Sequence, residues 1–188
     1  SYSANAPFLA ATAQGAPIVA VGLLSHGFSG ILVASKANAT LKNIADYRGK
    51  RSGLQRGTGI TTVFLMAAER QGLKEGDFNI TNLRVADMPT AMQGGTFDAV
   101  LGWEPSMSRI VSMGYGTITI TPEEFEKIAG ITYTYPLFTT KDLVKRRPEL
   151  VQRFVTAWAK SQQFVMSNRA ESMAILRQTL GDAVKNTS

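Results

Sequence analysis

The stretch that decides the fold is RSGLQRGTGITTVFLMAAERQG, residues 51–72. Residues 51–55 are predicted to form a short strand, and residues 57–59 form a glycine-containing turn. Residues 60–71 are rich in helix formers, and Gly72 follows them as a residue typical of a helix end. The order of strand, glycine turn and helix is typical of α/β architecture.

The same alternation continues on both sides of this stretch. Apolar runs bounded by turn residues predict strands at residues 17–24, 31–35, 80–85, 98–102, 117–121 and 133–139. Helical patterns are found at residues 7–14, 87–94, 105–114, from 122 onward, 148–167 and 169–180. The run at 17–24 is uninterrupted and is therefore expected to be a buried strand. We predict an α/β fold with mixed, mostly parallel sheets.

The composition restricts the possible partners. The chain has 188 residues, of which 44% are hydrophobic and 18% charged, which is ordinary for a protein with a packed core. Its formal charge is +6, but lysines and arginines are scattered, and the densest run, residues 145–147, is interpreted as a solvated helix edge. We therefore expect no nucleic-acid partner. No apolar run approaches the roughly 20 residues of a membrane span.

The side chains that usually carry catalysis are scarce. There is no cysteine and only one histidine, His26, which is interpreted as a loop residue. A thiolate or multi-histidine metal site is therefore excluded, and no acid–base pair or nucleophilic triad stands out. We predict a protein that is not an enzyme and has neither a metal nor a cofactor.

The glycine turn is the best candidate for ligand binding. A helix start leaves backbone N–H groups without intrahelical partners, and its dipole favours negative charge. Gly57 and Gly59 would let a ligand approach the backbone, and Thr58 and Thr61 would add hydroxyl donors. The alternative is a tight turn with an ordinary threonine cap.

Four further residues are candidates for the same site. Trp103 and Glu104 follow a strand and open a helix, so they are either an apolar wall with a polar contact or a core tryptophan with a helix-start carboxylate. Glu104 is also a possible partner of Arg56. Asn5 is either a helix cap or a ligand contact. Tyr133 either packs in a strand or lines a cleft.

Four stretches together resemble the family that binds aliphatic sulfonates, taurine, nitrate and thiamine-pyrimidine precursors for ABC import. The first is Asn5-Ala6-Pro7 with the later Gly15-Ala16-Pro17-Ile18. The others are LKNIADYRGKRSGLQRG at 41–57, DMPTAMQGGTFDAVLGWEP at 87–105 and KDLVKRRPELVQRF at 141–154. The pyrimidine-precursor synthases carry a cysteine-rich motif that this chain lacks. Glu104 stands where the family often has Asp.

The resemblance implies a type 2 periplasmic binding protein fold with two lobes and the ligand at their seam. The first lobe would comprise residues 1–31 and 135–188, and the second lobe residues 32–134. Segments 31–35 and 135–140 would cross between them. The family's first strand-helix-strand unit and further C-terminal helices are absent, so the first lobe is expected to be incomplete. The chain begins at Ser1 without an initiator methionine or export signal, and we expect a mature or truncated form.

The implied function is capture of a small anionic solute, such as a sulfonate, taurine or nitrate, for an ABC transporter membrane permease. The anion would sit at residues 57–59, with Trp103 against its organic part and Asn5 reaching from the other lobe. We expect a monomer that is periplasmic or lipid-anchored at the outer face of the cell membrane. The alternative is the ligand-sensing effector domain of a LysR-type transcription regulator.

Overall fold

The computed structural model describes residues 1–181, and within them strands and helices alternate along the chain. The strands are β1 Ile18–His26, β2 Ile31–Ser35, β3 Arg51–Leu54, β4 Asn79–Asn82, β5 Ala99–Gly102, β6 Gly116–Ile120 and β7 Thr134–Thr140. The α-helices are α1 Asn5–Ala13, α2 Gly59–Arg70, α3 Met88–Gln93, α4 Ser106–Ser112, α5 Pro122–Ala129, α6 Lys141–Arg146, α7 Pro148–Ser167 and α8 Arg169–Leu180. Short 3-10 helices occupy Lys36–Asn38, Ile44–Tyr47, Glu75–Asp77 and Val85–Asp87.

The chain divides into two compact units. Within the described residues, the first contains residues 1–25 and 135–181, and the second contains His26–Thr134. The sequence interpretation placed the outgoing crossing at residues 31–35, but this segment is β2, which pairs with β5 and β6 inside the second unit. The outgoing passage lies earlier, at Ser25 and His26, because a strand hydrogen-bonded on both sides belongs to its sheet.

The second unit is built on a five-stranded sheet in the order β4-β3-β5-β2-β6. Strands β4, β3 and β5 run parallel, whereas β2 is antiparallel to both β5 and β6. The predicted α/β fold with mixed sheets is confirmed, although parallel and antiparallel pairings are equally frequent in this sheet. Its three parallel strands follow from the strand-turn-helix order, since each returns through a helical crossover.

The core of the second unit lies between this sheet and its helices. Met88, Met92 and Met107 are buried there, as predicted for core filler, together with apolar side chains of β2 and β5. Met66 was placed in the same class, but it is 39% exposed. It sits on α2, a helix with one face toward the sheet and one toward solvent, and its position falls on the solvent side.

The first unit has a two-stranded sheet of β1 and β7. The prediction of a buried strand at residues 17–24 is wrong, because no residue of β1 is buried and its half-buried residues are interspersed with exposed ones. Two strands cannot cover both of their faces, and α7 and α8 contribute no fully buried residue. Trp158 of α7 donates its indole N–H to the carbonyl oxygen of Leu23 at 3.2 Å, which ties this helix to β1.

Helix starts were predicted with mixed success. The start of α5 is confirmed: Thr121 caps the amide of Glu124, whose carboxylate returns a bond to the amide of Thr121 at 2.7 Å, and Pro122 follows the cap. Helix α1 instead begins before Pro7, and its capping position is Ala4. No helix within residues 1–181 is both long and apolar enough to cross a membrane.

Candidate functional site

The carboxyl ends of β3 and β5 meet at one edge of the second unit's sheet. The two strands are parallel neighbours, and Leu54 lies opposite Leu101. The turn that leads into α2 therefore leaves the sheet beside the segment that carries Trp103. In open α/β sheets, ligands bind outside the carboxyl ends of the strands.

The antiparallel strand β2 begins at the same edge, since Ile31 lies opposite Gly102. Gly30, just before it, approaches the first turn of α2 closely: a Cβ atom there would lie 3.1 Å from Cγ2 of Ile60 and 2.4 Å from the ring of Phe28. Only glycine fits this position without displacing its neighbours. The loop before β2 thus packs against the first turn of α2.

Threonine side chains cap the α2 turn. The Thr58 hydroxyl accepts from the amide of Thr61 at 3.4 Å and donates to the carbonyl oxygen of Gln55 at 2.8 Å. The Thr61 hydroxyl donates to the same carbonyl oxygen, also at 2.8 Å. Both hydroxyl protons are engaged within the protein, so the expected role of these hydroxyls as ligand donors is not supported. The alternative interpretation, a threonine cap, is confirmed.

The backbone of the same turn provides the donors that the hydroxyls do not. Within residues 1–181, the amides of Gly57, Thr58, Gly59 and Ile60 have no hydrogen-bond acceptor in the protein. Gly57 is exposed and adopts φ 76°, a left-handed conformation that favours glycine. Unpaired amides and the positive end of the α2 dipole make this turn suited to an anion.

Side chains that the sequence analysis did not single out hold the turn in place. The Gln55 side-chain oxygen accepts from the amide of Val85 at 3.1 Å, and the Asn82 side-chain oxygen accepts from the amide of Arg56 at 2.9 Å. Arg56 pairs with Glu75 at 2.5 Å and not with Glu104, which corrects that expectation. A polar residue at or just past the end of each neighbouring strand was the available signal for Gln55 and Asn82.

Trp103 and Glu104 have different environments. Trp103 is half-buried and packs against the core cluster of the second unit. Glu104 is exposed, and its carboxylate accepts from the Ser108 amide at 3.0 Å and the Ser108 hydroxyl at 2.6 Å. It therefore caps the start of α4. The carboxylate of Glu104 thus has a structural role, and contact of Trp103 with a ligand stays a prediction.

Tyr133 lies in the core of the second unit, and Asn5 lies in the first unit. Tyr133 is only 2% exposed and packs against Phe28 with ring centroids 5.4 Å apart, so its side chain belongs to the core of the second unit. Asn5 lies in the first unit, half-buried, as the first residue of α1. The predicted cap role of Asn5 is wrong because Ala4 occupies that position. The predicted contact of Asn5 with a ligand stays a prediction.

Metal-binding groups are not assembled in the part of the chain that the structure describes. No three histidine, cysteine, aspartate or glutamate side chains of residues 1–181 come together in a way that could hold a metal ion. The donors gathered at the sheet edge are backbone amides, which suit an anion and not a cation.

Comparison with protein families and curated proteins gives consistent matches over most of the chain. The family model described as NMT1/THI5 like matches residues 1–172. A putative aliphatic sulfonates-binding protein of Escherichia coli K12 is 25% identical over 93% of this chain and 53% of its own length. The taurine-binding periplasmic protein of the same organism is 27% identical over 87% of this chain and 50% of its own length. The chain thus spans about half the length of these curated relatives.

Solved structures share the fold. The periplasmic aliphatic sulphonate binding protein SsuA of Escherichia coli has a TM-score of 0.78 and 23% identity, over 96% of this chain and 60% of that one. The alkanesulfonate-binding SsuA of Xanthomonas axonopodis pv. citri, bound to MOPS, has a TM-score of 0.77 and 22% identity, over 96% of this chain and 61% of that one. The periplasmic nitrate-binding protein NrtA of Synechocystis PCC 6803 has a TM-score of 0.67 and 16% identity, over 92% of this chain and 49% of that one. The fold is that of periplasmic binding proteins.

Proposed function

Because the chain belongs to the NMT1/THI5-like family, we propose that it is part of a periplasmic solute-binding protein that captures a small organic or inorganic anion for an ABC importer. Alkanesulfonates, taurine and nitrate are the candidate ligands. The names of the sulfonate- and taurine-binding relatives support this assignment. The membrane permease of such an importer would be the partner.

One observation carries the proposal. The parallel pairing of β3 with β5 sets the α2 turn beside Trp103, so that free amides and an aromatic face share one edge of the sheet. An alkanesulfonate has matching parts, because its sulfonate oxygens are strong acceptors and its alkyl chain is apolar. The sulfonate would rest on the amides of residues 57–60, and Trp103 would contact the alkyl part.

The direct test removes one amide proton from the proposed anchor. Gly59→Pro deletes the N–H at the first position of α2, where proline is compatible with a helix, and the preceding Thr58 has the extended ψ of 154° that proline requires. Thr62→Ala is the matched control, since Thr62 lies in the same helical turn on its exposed side and the change keeps every amide.

The measurement is isothermal titration of the full-length protein with ethanesulfonate, taurine and nitrate, with chloride as the reference anion. A hydrogen bond to a charged group contributes about 1.5–3 kcal/mol, so Gly59→Pro should weaken binding of the preferred anion roughly tenfold or more. Circular dichroism should stay unchanged, and Thr62→Ala should bind like the parent. If Gly59→Pro binds the anion as tightly as the parent, the proposal that the amides of this turn hold the anion is contradicted.

Movement of the two units on binding is the second part of the proposal. Binding proteins of this type hold a ligand by hinge closure, and Asn5 of the first unit is the proposed contact from that side. Small-angle X-ray scattering of the full-length protein with and without the best anion tests this part. A smaller radius of gyration with ligand supports closure, and an identical value at saturation contradicts it.

A further inference from the structure

One carboxylate lies where both passages between the units enter the second unit. The chain passes from the first unit at Ser25 and returns to it after Thr134. Phe28 and Tyr133 lie just inside the second unit on these two passages. The Gly27 amide donates to the carbonyl oxygen of Tyr133 at 2.8 Å, so the two passages are joined by a backbone hydrogen bond.

Glu126 adds a second link of a different kind. Its Oε1 atom accepts from the amide of Tyr133 at 2.7 Å and from the amide of Phe28 at 3.1 Å. Phe28 is 98 positions away in sequence, whereas Tyr133 is seven positions away. A single oxygen therefore binds both passages, and because the acceptor is a carboxylate, each bond is stronger than one between neutral groups.

The element that carries this carboxylate is itself well anchored. Helix α5 begins with the reciprocal cap of Thr121 and Glu124, and its Phe125 and Ala129 are fully buried. The ring of Phe28 packs edge-on against Phe125, with centroids 5.3 Å apart. Glu126 thus extends from a fixed helix to the two segments and ties them to the second unit.

We infer that Glu126 is a positioning residue that anchors the hinge of this protein. Because Phe28 and Tyr133 are bound to α5 and the Gly27 amide is bound to Tyr133, any rotation between units is confined to residues 25–26 and 134–135. Gly27, at φ 97°, has a backbone conformation that side-chain-bearing residues rarely adopt, and it turns the chain on the anchored side of the outgoing passage. A role of this anchor in transport rests on the proposed closure of the two units. The anchoring itself can be measured without ligand.

The experiment compares three variants of the ligand-free full-length protein. Glu126→Ala removes the shared acceptor. Glu126→Gln keeps a side-chain oxygen that can accept both amides and removes only the charge. Lys127→Ala alters the exposed neighbouring residue as the control. Hydrogen exchange by mass spectrometry follows peptides that cover residues 26–29 and 131–134.

Glu126→Ala should accelerate exchange of the Phe28 and Tyr133 amides at least tenfold, with Glu126→Gln within about threefold of the parent and Lys127→Ala unchanged. A second readout is the distance between spin labels at Glu69→Cys on α2 and Lys160→Cys on α7, since the chain has no cysteine of its own. Its distribution should broaden in Glu126→Ala only. Unchanged exchange together with an unchanged distribution would overturn the inference.

A nuclear magnetic resonance measurement covers the case in which Glu126→Ala does not fold. In Glu126→Gln, the amide proton resonances of both Phe28 and Tyr133 should shift upfield together, because both lose a charged acceptor. If neither resonance moves, the inference fails. All these measurements are made without ligand, so they stand or fall separately from the anion titration that tests the proposed function.

Discussion

The hydroxyl group of Thr61 donates a 2.8 Å hydrogen bond to the carbonyl oxygen of Gln55, six residues earlier in the chain. The Thr58 hydroxyl donates to the same atom, so this carbonyl gathers two side chains of the α2 start beneath the turn. The hydroxyls hold the turn, and the amides of the turn stay available for an anion. This division of roles separates stability from binding and can be tested.

Thr61→Val should lower stability while leaving anion affinity nearly unchanged. The substitution keeps the shape of a buried side chain and removes one hydroxyl, and a hydrogen bond of this kind contributes about 1 kcal/mol. We expect the free energy of unfolding in urea to fall by about that amount. Affinity for the best anion in the titration should change less than about threefold.

Thr62→Val is the control for this prediction, because the Thr62 hydroxyl is exposed and its bond to the carbonyl of Thr58 is long, at 3.4 Å. It should change neither quantity measurably. If Thr61→Val is fully folded and still loses more than tenfold in anion affinity, the Thr61 hydroxyl donates to the ligand. That result would contradict the division of roles proposed above.

Trp103 should report anion binding by its fluorescence. The chain contains two tryptophans, Trp103 at the proposed site and Trp158 on α7 of the first unit. In Trp158→Phe, addition of the best anion should still change the emission. A ligand that contacts the half-buried Trp103 ring changes the polarity of the surroundings of that ring. In Trp103→Phe the response should be lost. A response carried only by Trp158 would argue against the Trp103 wall.

The opposite edge of the sheet depends on an ion pair between Arg51 and Asp98. Arg51 donates from Nη2 to Oδ1 at 2.9 Å and from Nε to Oδ2 at 3.2 Å, and its amide also donates to Oδ2 at 2.9 Å. These bonds, first of all those from the guanidinium, lower the pKa of Asp98 below its ordinary value of 3.8. The bidentate geometry fixes β3 against β5.

Asp98→Asn should destabilise the second unit by about 1 kcal/mol at pH 7, because the Asp98 side chain is 22% exposed but the Arg51 side chain is 51% exposed, so that water screens the pair. A carboxyl with a lowered folded pKa contributes stability above its unfolded pKa, and this is lost as pH falls through the folded pKa. The difference from the parent in urea denaturation should therefore shrink below about pH 4. A constant difference from pH 7 to pH 3 would contradict the ion pair as its source.

Local signals in the sequence predicted the elements whose structure is decided locally. The cap at Thr121 and the glycine turn before α2 depend on neighbours within a few residues, and both were predicted correctly. The half-exposed state of β1 depends on how many strands join it, which its apolar run does not encode. Glu126 was missed for a related reason: its partner Phe28 is 98 positions away, and a glutamate on a helix surface carries no local sign of that contact.

The site was predicted in the same uneven way. Strand order brought residues 57–59 and 103 to one edge, and the family resemblance pointed to both. The engagement of the threonine hydroxyls was not visible, because the acceptor, the carbonyl oxygen of Gln55, is a backbone atom present at every position. The sequence around Tyr133 is equally compatible with a residue that lines a cleft and with a core residue. Its packing against Phe28 in the structure shows that it is a core residue.

Tyr47 and Thr119 form a buried hydrogen bond that should make folding sensitive to alkaline pH. Their oxygens are 2.5 Å apart, and the Thr119 hydroxyl donates onward to the carbonyl of Leu32 at 3.2 Å, so Tyr47 is the donor of the shorter bond. Burial raises the pKa of Tyr47 from 10.0 to about 12. The folded state therefore retains this proton at pH values where the unfolded chain releases it.

Tyr47→Phe should reduce the free energy of unfolding at pH 8 by about 1–2 kcal/mol, since the Thr119 oxygen loses a donor in the core. A group whose pKa is raised in the folded state contributes stability that is fully present below its unfolded pKa. This contribution is lost as the pH rises through the folded pKa. The parent's advantage over Tyr47→Phe should therefore decline between about pH 10 and pH 12. Tyr2→Phe, at a position 62% exposed, is the control and should follow the parent throughout. An advantage that persists unchanged to pH 12 would show that folding does not raise the pKa of Tyr47, and it would contradict the predicted alkaline sensitivity.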